Sequence, residues 1–486
     1  MCIRDRQTLS AYDPAAIVIR SPHAGAASLD WRGADAGPGG DLVVRRASVL
    51  DPRAGIEGTY DVVVRGGEIA ELADPGSAEA EASTGGEVEV IEAEGRAVFP
   101  AFFDPHVHLR TPGDEDEEDI ETGTRAAAAG GYCGILAMAN TQPPVETAAD
   151  IRSLRERAAE EASVPAGFLA CVTRGMGGEE LTEMAELRDT GAAGFSDDGL
   201  PISNARVLRR ALQYQRLVGA QIALHEEDHD LSRPAGAHQP HLGGAMHEGL
   251  VSAALGLAGI PSVAESTMIA RDAALAAYED ARLHVQHLSA RESVEAVAAA
   301  KAAGVKISCE VTPHHLTLTD EAVRSLDARF KMNPPLRSED DRQALLDGLR
   351  SGVIDCVATD HAPHSLDEKE VPFEEAAMGV TGLETAFSVL HADLVVPGVL
   401  DLAVLVERMS AAAAAFGLEL PSLVPGSEAN LVLFDPAAEW EPGLDGWESR
   451  SQNSCFAGRR LAGRVLMTVV AGRVAYRQRS FAMGVA

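Results

Sequence analysis

The sequence predicts an α/β protein: a (β/α)8 barrel with a small discontinuous β-sandwich domain built from the N- and C-terminal segments. Short apolar strands alternate with helical stretches through the middle of the 486-residue chain, a pattern typical of parallel sheets. Segments rich in β-branched residues flank this middle on both sides. The chain also exceeds the roughly 250 residues of a typical barrel. We therefore expect a barrel and a second, smaller domain.

The flanking segments predict one composite domain. Residues 1–40 are rich in Gly, Ala, Pro and Asp, which favours a poorly ordered extension. Residues 41–97 and 418–486 then contain strand patterns, and Gly66-Gly67 separates two of them as in a hairpin. Neither segment is long enough for a sizeable core alone, so we expect them to pack together. The predicted strands cover residues 42–50, 60–65, 68–72, 88–93, 429–435, 465–470 and 474–476.

Residues 98–417 make up the predicted catalytic barrel. Helical stretches such as residues 148–162 and 293–303 separate its strands. Active-site residues of such barrels lie at the C-terminal ends of the strands, so the polar residue after each strand is the candidate functional residue. After a first strand that ends near residue 108, the predicted barrel strands cover residues 134–138, 167–172, 193–195, 221–224, 283–286, 305–309 and 356–358.

Composition excludes several classes of partner. The formal net charge of -33 repels nucleic acid and anionic membrane surfaces, so we expect neither as a partner. The six cysteines are scattered without a C-x-x-C pair, which favours reduced thiols in a cytoplasmic enzyme over a disulfide framework. A small anionic substrate would need a local cluster of positive charge or metal.

The segment that ends the first barrel strand reads Asp104-Pro-His106-Val-His108-Leu-Arg110. Alternate residues of a strand share a face, so His106, His108 and Arg110 point the same way. Two imidazoles at this spacing can hold one divalent metal ion. Alone the motif is weak, because short matches arise by chance.

Four further strand ends strengthen the metal interpretation. His225 and His287 each follow a predicted strand directly, Asp360 follows another, and Asp197-Asp198 follow a fourth. Four histidines and two aspartates at one barrel mouth predict a two-metal hydrolytic site, where bound water becomes hydroxide near neutral pH. A mononuclear site is the alternative. The pattern leaves open which of Asp197 and Asp198 takes part.

Several motifs in a fixed order carry a resemblance to a known family. From about residue 41 to residue 476 the sequence resembles the amidohydrolase superfamily and, within it, the dihydroorotases of the long bacterial (class I) type, whose barrel is the metallo-dependent hydrolase form of the TIM barrel. The motifs are Asp104 to Arg110, Ala137-Met-Ala-Asn-Thr141, Phe195-Ser-Asp-Asp-Gly199, Phe330-Lys-Met-Asn-Pro-Pro335, Ala358-Thr-Asp-His-Ala-Pro-His364 and Gly382-Leu-Glu-Thr-Ala386.

The resemblance implies two Zn²⁺ ions per subunit, although the same ligands would also accept manganese or cobalt. Many relatives bridge their metals with a carboxylated lysine, but no lysine lies between His108 and His287. A carboxylate must therefore form the bridge here, and the family match favours Asp198. The implied ligands are His106, His108 and Asp360 for the first ion, His225 and His287 for the second, and Asp198 between them.

The implied reaction is the reversible cyclisation of N-carbamoyl-L-aspartate to L-dihydroorotate in de novo pyrimidine biosynthesis, with Asp360 as the catalytic acid and base. Arg110 suits the substrate carboxylate as a planar fork donor. Its alternative is a salt bridge to the acidic run 114–119, which we expect to be a solvated loop. Asn140 has the alternative of an ordinary turn residue. The resemblance implies substrate contacts at His108, Arg110, Asn140, Asn333, His364, and the backbone of Met378 and Gly379.

Two other functions stay open at the level of sequence. An allantoinase or dihydropyrimidinase would use the same barrel, although the missing bridging lysine disfavours both. A non-catalytic dihydroorotase-like partner of aspartate carbamoyltransferase is the other alternative, and such a protein would be expected to lack ligands. The sequence does not determine whether the chain forms a homodimer or associates with aspartate carbamoyltransferase.

Overall fold

The computed structural model describes residues 40–79, 88–233, 243–443 and 446–482. All but the last residue of the extension predicted over residues 1–40 lies outside the described residues. The strands are β1 (Leu42–Asp51), β2 (Ile56–Arg65), β3 (Glu68–Ala73), β4 (Glu89–Glu92), β5 (Ala97–Pro100), β6 (Phe102–Val107), β7 (Tyr132–Ala137), β8 (Ala166–Ala170), β9 (Gly194–Phe195), β10 (Gln221–Leu224), β11 (Met246–His247), β12 (Gly259–Ile260), β13 (Arg282–Val285), β14 (Lys306–Val311), β15 (Cys356–Val357), β16 (Leu431–Trp440), β17 (Leu461–Val470) and β18 (Arg473–Arg477).

Helices connect the barrel strands and pack outside them. The first of these is capped at its N-terminus by Asp119, whose side chain accepts a hydrogen bond from Thr122 N. At its C-terminus it is capped by Gly131, whose left-handed φ of 95° terminates it. The helices are α1 (Ile120–Gly130), α2 (Ala148–Glu161), α3 (Met184–Thr190), α4 (Ala205–Val218), α5 (His229–Ser232), α6 (Leu250–Leu255), α7 (Val263–Glu279), α8 (Arg291–Ala302), α9 (Pro313–Thr317), α10 (Glu339–Ser351), α11 (Leu366–Lys369), α12 (Ala386–Leu390), α13 (Leu402–Ser410) and α14 (Arg479–Ala482).

The barrel is an eight-stranded parallel sheet in the order β6, β7, β8, β9, β10, β13, β14, β15. An isolated parallel bridge between Val107 and His361 brings its first and last strands together. The predicted barrel is confirmed, and every predicted barrel strand overlaps an observed one. Because all eight strands run the same way, their C-terminal ends meet at one mouth.

The terminal segments join in a second eight-stranded sheet, which is mixed rather than parallel. The N-terminal strand β5 pairs antiparallel with the C-terminal strand β16, with Val98 opposite Leu433. Gly66 and Gly67 adopt positive φ between β2 and β3, as the predicted hairpin requires. The sheet encloses its own apolar core, which contains Val44, Val62, Ile69, Leu431 and Met467.

A long connection between β16 and β17 leaves this sheet and reaches the barrel mouth. We refer to residues 441–460 as the β16–β17 excursion. Phe456 at its end packs in an apolar cluster with Met332 and Val380 from the barrel connections. The C-terminal segment thus contributes both to its own sheet and to the surroundings of the barrel mouth.

The described residues contain no helix that is long and apolar enough to cross a membrane. Five of the six cysteines lie among them, and all five are buried and free of disulfides. Burial raises the pKa of the Cys133 thiol to about 12. The expectation of reduced, buried thiols is confirmed for these five.

Candidate metal centre

The strands of the barrel deliver the predicted ligands to its mouth. His106 and His108 lie at and just beyond the end of β6, and His225 directly follows β10. Each such side chain is aimed by the strand that precedes it, so the barrel register sets the spacing of the group. All six predicted ligands are buried: His106, His108, Asp198, His225, His287 and Asp360.

Asp198 lies at the centre of the group. Its Oδ2 is 3.6 Å from His106 Nε2 and 3.4 Å from His108 Nε2. Its Oδ1 is 3.8 Å from His225 Nδ1 and 3.6 Å from His287 Nε2. One carboxylate oxygen therefore faces each pair of histidines, and each set of three side chains is compact enough to hold one metal ion.

Asp360 lies on the side of the first histidine pair. Its Oδ1 is 3.4 Å from His106 Nε2 and 3.2 Å from His108 Nε2. It thus faces the same ring nitrogens as Asp198 Oδ2, which makes two carboxylates and two imidazoles around one position.

The neighbouring Asp197 points elsewhere. Its carboxylate accepts hydrogen bonds from the backbone N of Val172 at 2.7 Å and of Thr173 at 3.1 Å. It therefore ties β9 to the segment that follows β8. Of the two aspartates that the pattern left open, Asp198 is the one among the histidines.

In three of the four histidines, the ring nitrogen that faces away from Asp198 also has a partner. A hydrogen bond on one imidazole nitrogen fixes the ring and leaves the other nitrogen free for a metal. This selects Nε2 of His106 and His108, and Nδ1 of His225. The supporting pairs are His106 Nδ1 with Glu310 Oε1 at 2.7 Å, His108 Nδ1 with Asn140 Oδ1 at 2.9 Å, and His225 Nε2 with Glu227 Oε2 at 2.9 Å.

Two buried atoms of the group have no hydrogen-bond partner among the described residues: His106 Nε2 and Asp198 Oδ1. Buried polar atoms are rarely left unsatisfied. A metal ion between imidazole nitrogens and carboxylate oxygens would satisfy both atoms, and this ligand set suits a divalent transition metal. The residues present therefore fit a metal ion.

The pKa values of the two aspartates in the group agree with a metal site. Burial disfavours the Asp198 anion, but His106 beside it holds the pKa of that carboxyl well below its usual range. Burial and His106 act on Asp360 in the same opposing ways, and the pKa of its carboxyl is also lowered. Both aspartates are thus anionic at neutral pH, as metal ligands must be.

Three residues of the mouth have unusual backbone conformations. Arg110, His287 and Asp360 adopt φ values of 53°, 29° and 49°, where residues other than glycine are uncommon. Such conformations persist where surrounding contacts enforce them, and they cluster at functional sites. Each one redirects the chain just after a barrel strand.

Arg110 is already held by the protein. Its Nε lies 3.1 Å from Glu117 Oε2 and donates to Pro363 O at 3.0 Å, and its Nη2 is 3.2 Å from His364 Nε2. The salt bridge to the acidic run, which was the alternative for this arginine, is therefore present. It occupies the Nε edge of the guanidinium and fixes its orientation.

The prediction that the acidic run is a solvated loop was wrong for two of its members, because Glu117 and Glu118 are buried. Glu118 is 3.1 Å from His361 Nε2 and accepts from Arg450 N at 3.1 Å. It therefore connects the residue after Asp360 to the β16–β17 excursion. The sequence did not indicate this because His361 and Arg450 are more than 240 residues away from Glu118.

The side-chain amides of Asn140 and Asn333, which are predicted substrate contacts, form hydrogen bonds to predicted metal ligands or to a partner of one. Asn140 accepts from His108 Nδ1, and its Nδ2 donates to Asp198 Oδ2 at 3.2 Å. Asn333 Nδ2 donates to Glu227 Oε2 at 2.8 Å. Contact of either amide with substrate stays a prediction.

The remaining predicted contacts lie together beside Arg110. His364 Nε2 is 3.0 Å from Met378 O. Gly379 has φ 145°, and a Cβ there would lie 2.9 Å from His364 Nε2, so only glycine allows this close approach. The structure thus brings His364, Met378 and Gly379 to one side of the mouth.

Sequence reasoning missed Glu310, a fully buried residue of β14. Its second oxygen is 2.9 Å from His284 Nε2, so one carboxylate supports both His284 and His106. Burial opposes the anion, yet His106 lowers the pKa of Glu310 to about 2. The sequence did offer one signal, because a charged residue directly follows the predicted strand 305–309.

Comparison with known proteins places the chain in a family. A family model described as dihydro-orotase-like matches residues 95–293. The dihydroorotase of Geobacter metallireducens is 42% identical over 90% of this chain and 100% of its own length. That of Anaeromyxobacter dehalogenans is 43% identical over 90% of this chain and 98% of its own length.

Among solved structures, the L-hydantoinase (dihydropyrimidinase) of Arthrobacter aurescens superimposes with a TM-score of 0.79 at 25% identity, over 90% of this chain and 96% of that one. The dihydropyrimidinase of Brevibacillus agri gives a TM-score of 0.76 at 24% identity, over 90% and 95%, which shows the shared fold. With its barrel mouth of buried histidines and aspartates, the chain is a metal-binding amidohydrolase and belongs to the dihydroorotase family.

Proposed function

We propose that this chain is a dihydroorotase that interconverts N-carbamoyl-L-aspartate and L-dihydroorotate, the cyclisation serving pyrimidine biosynthesis. The observation that carries the proposal is Arg110, which lies two residues after the predicted ligand His108 and is held in a fixed orientation by a salt bridge from its Nε to Glu117 Oε2 at 3.1 Å. Both substrates carry carboxylates, and a guanidinium held in a fixed orientation binds a planar carboxylate with two hydrogen bonds.

The proposed cofactor is a pair of Zn²⁺ ions per subunit. His106, His108 and Asp360 would hold one ion, and His225 and His287 the other, with Asp198 between them. The two compact sets of side chains that share Asp198 support this number. When bound, such ions polarise a carbonyl group and lower the pKa of water to near neutrality.

The proposed proton carrier is Asp360. In ring opening its carboxylate accepts a proton from the attacking water as the new C–O bond forms. It then donates that proton to the ring nitrogen as the C–N bond breaks, and cyclisation runs in reverse. The lowered pKa of Asp360 keeps the carboxyl anionic until the proton arrives.

The proposed substrate contacts lie around the Asp360 carboxylate. Arg110, Asn140 and His364 would hold the substrate carboxylate, and the backbone of Met378 and Gly379 would contact the ring. His108 and Asn333 would line the opposite side. The short separation of Arg110 Nη2 and His364 Nε2, 3.2 Å, supports a shared carboxylate between these two.

A steady-state assay of the zinc-loaded protein tests the proposal. We expect cyclisation of N-carbamoyl-L-aspartate at acidic pH and opening of L-dihydroorotate at alkaline pH. Faster turnover of allantoin or dihydrouracil would instead assign the chain to a sister activity, and absence of all turnover would leave a non-catalytic role. Metal analysis that finds no more than one ion per chain after zinc loading would exclude the two-metal form.

Three further proposals concern the location and the assembly of the enzyme. We expect a cytoplasmic location, because the buried cysteines of the described residues are free thiols. A homodimer and an association with aspartate carbamoyltransferase are tested by light scattering of the purified chain, alone and mixed with that enzyme. A monomer in the first sample would contradict the homodimer, and unchanged masses of the two proteins in the mixture would contradict the association.

A further inference from the structure

Asn453 is a buried residue of the β16–β17 excursion, with 4% of its surface exposed. It belongs to the C-terminal segment, which otherwise builds the sheet beside the barrel. Its side chain nevertheless reaches the connections at the barrel mouth. Burial of a primary amide is costly unless its hydrogen-bonding groups are used.

The carboxamide of Asn453 bonds to two separate segments. Its Nδ2 donates to Ala362 O and to Gly379 O, each at 3.1 Å. Its Oδ1 accepts from His364 N at 3.2 Å. Both amide hydrogens and one oxygen lone pair are thus engaged, and all three partners are backbone groups.

These contacts lie between two neighbouring backbone segments, one containing His361 and the other Val380. His361 and Val380 form a parallel bridge, and Ala362 N donates to Val380 O at 2.9 Å. At the next step no backbone donor of the described residues pairs with Ala362 O, although Gly379 lies so close that an added Cβ would be 3.1 Å from that oxygen. The Asn453 side chain takes the place of that donor and holds the two backbones at a set separation.

The separation matters for the predicted substrate contacts. His364 Nε2 lies 3.0 Å from Met378 O on the opposite segment, and Arg110 Nη2 lies 3.2 Å from the same nitrogen. A change in the distance between the two segments would therefore move His364 and, through it, Arg110.

We propose that Asn453 is a positioning residue for substrate binding: its carboxamide holds the His364 segment against the Met378–Gly379 segment and so sets the geometry of carboxylate recognition. The inference rests on the proposed function, since it assumes that His364 and Arg110 bind substrate. Asn453 itself touches neither the predicted metal ligands nor the reacting atoms.

The variant Asn453→Asp tests the proposal in the full-length, zinc-loaded enzyme. Aspartate has nearly the same shape and still accepts from His364 N, but its carboxylate faces the oxygens of Ala362 and Gly379 and repels them. We expect KM for L-dihydroorotate to rise about tenfold with kcat within about twofold, because misplaced binding groups weaken substrate binding before they affect the chemistry. Zinc content should stay at the wild-type value.

A second variant and a control complete the experiment. Asn453→Ser keeps one hydroxyl and should raise KM less than Asn453→Asp. Gln452→Ala, at the exposed neighbouring residue, should leave KM unchanged. An unchanged KM in both Asn453 variants, or a fall in kcat and zinc content instead, would overturn the positioning role.

Two other outcomes are also decisive. Failure of both Asn453 variants to fold would show that the residue serves stability alone, which also overturns the proposal. A wild-type enzyme without activity on L-dihydroorotate would refute the proposed function itself. An active wild type with unaffected variants would refute only the inference about Asn453.

Discussion

The two sides of the barrel mouth are built on different principles. On the metal side, the ends of the strands aim the side chains directly, as with His225 after β10. On the proposed substrate side, Arg110 and His364 lie in irregular connections and are held by distant residues such as Asn453, 89 positions beyond His364 in the chain. The metal side therefore inherits its geometry from the barrel, whereas the substrate side depends on individual long-range contacts.

The largest expected effect is on the metal side and separates chemistry from metal binding. Asp360→Asn removes the proposed proton carrier while the histidines and Asp198 remain. We expect kcat to fall by about 10³-fold or more, with zinc content near that of the wild type. Steady-state kinetics and elemental analysis measure the two quantities, and a fully active variant would refute the role of Asp360.

The next effect concerns the support of one ligand. Glu310→Gln weakens the charge-assisted hydrogen bond of 2.7 Å to His106 Nδ1. We expect zinc affinity to fall about 10- to 100-fold, measured by competition with a chelator, while KM at saturating zinc changes little. Lys306→Ala, at an exposed residue of the same strand, is the matched control. Unchanged zinc affinity in Glu310→Gln would mean that the barrel alone fixes the metal side.

A substitution on the substrate side should show the opposite pattern. Arg110→Lys keeps the positive charge but loses the planar fork that we propose binds the substrate carboxylate. We expect KM for L-dihydroorotate to rise about tenfold with unchanged zinc content, and Arg174→Lys at an exposed arginine to have no effect. Loss of zinc in Arg110→Lys would show that the two sides are not separable.

The smallest effect concerns the attachment of the β16–β17 excursion. Glu384 accepts hydrogen bonds from Glu448 N and Ser449 N at 3.1 Å, and burial raises its pKa to about 8. The folded chain thus binds a proton here that the unfolded chain releases above pH of about 4.3. Wild-type stability is therefore lost as pH rises from about 4.3 to 8.

Glu384→Gln removes this titration and keeps an oxygen acceptor. We expect the Tm difference, variant minus wild type, to grow by several degrees as the pH rises from 5 to 8.5. Glu121→Gln, at an exposed residue of α1, should show no such trend in a thermal melt. A Tm difference that is independent of pH would contradict the raised pKa.

The same contrast explains how much could be predicted from the sequence. His225 and His287 were identifiable because each follows an apolar strand, and the parallel barrel then brings them together. The choice between Asp197 and Asp198 could not be made from the sequence. Strand β9 has only two residues, so it does not determine which aspartate faces the histidines. The partners of Asp197 come from the connection after β8, which no local pattern describes.

Long-range partners account for what the sequence reading missed. Glu118 lay within a run of acidic residues that usually faces solvent, but its partners include Arg450, 332 positions away. Asn453 carries no periodic signal, since its role follows from hydrogen bonds to backbone groups of Ala362, His364 and Gly379. Such contacts are consequences of tertiary packing and become visible only with the fold.

The central position of Asp198 has a consequence for how the enzyme becomes active. An aspartate is complete when the ribosome releases the chain, whereas a carboxylated lysine forms only after reaction with dissolved carbon dioxide. In the proposed centre, where Asp198 lies between the histidine pairs, assembly requires folding and metal but no carboxylation of a lysine. Activation of the proposed enzyme therefore needs no dissolved carbon dioxide.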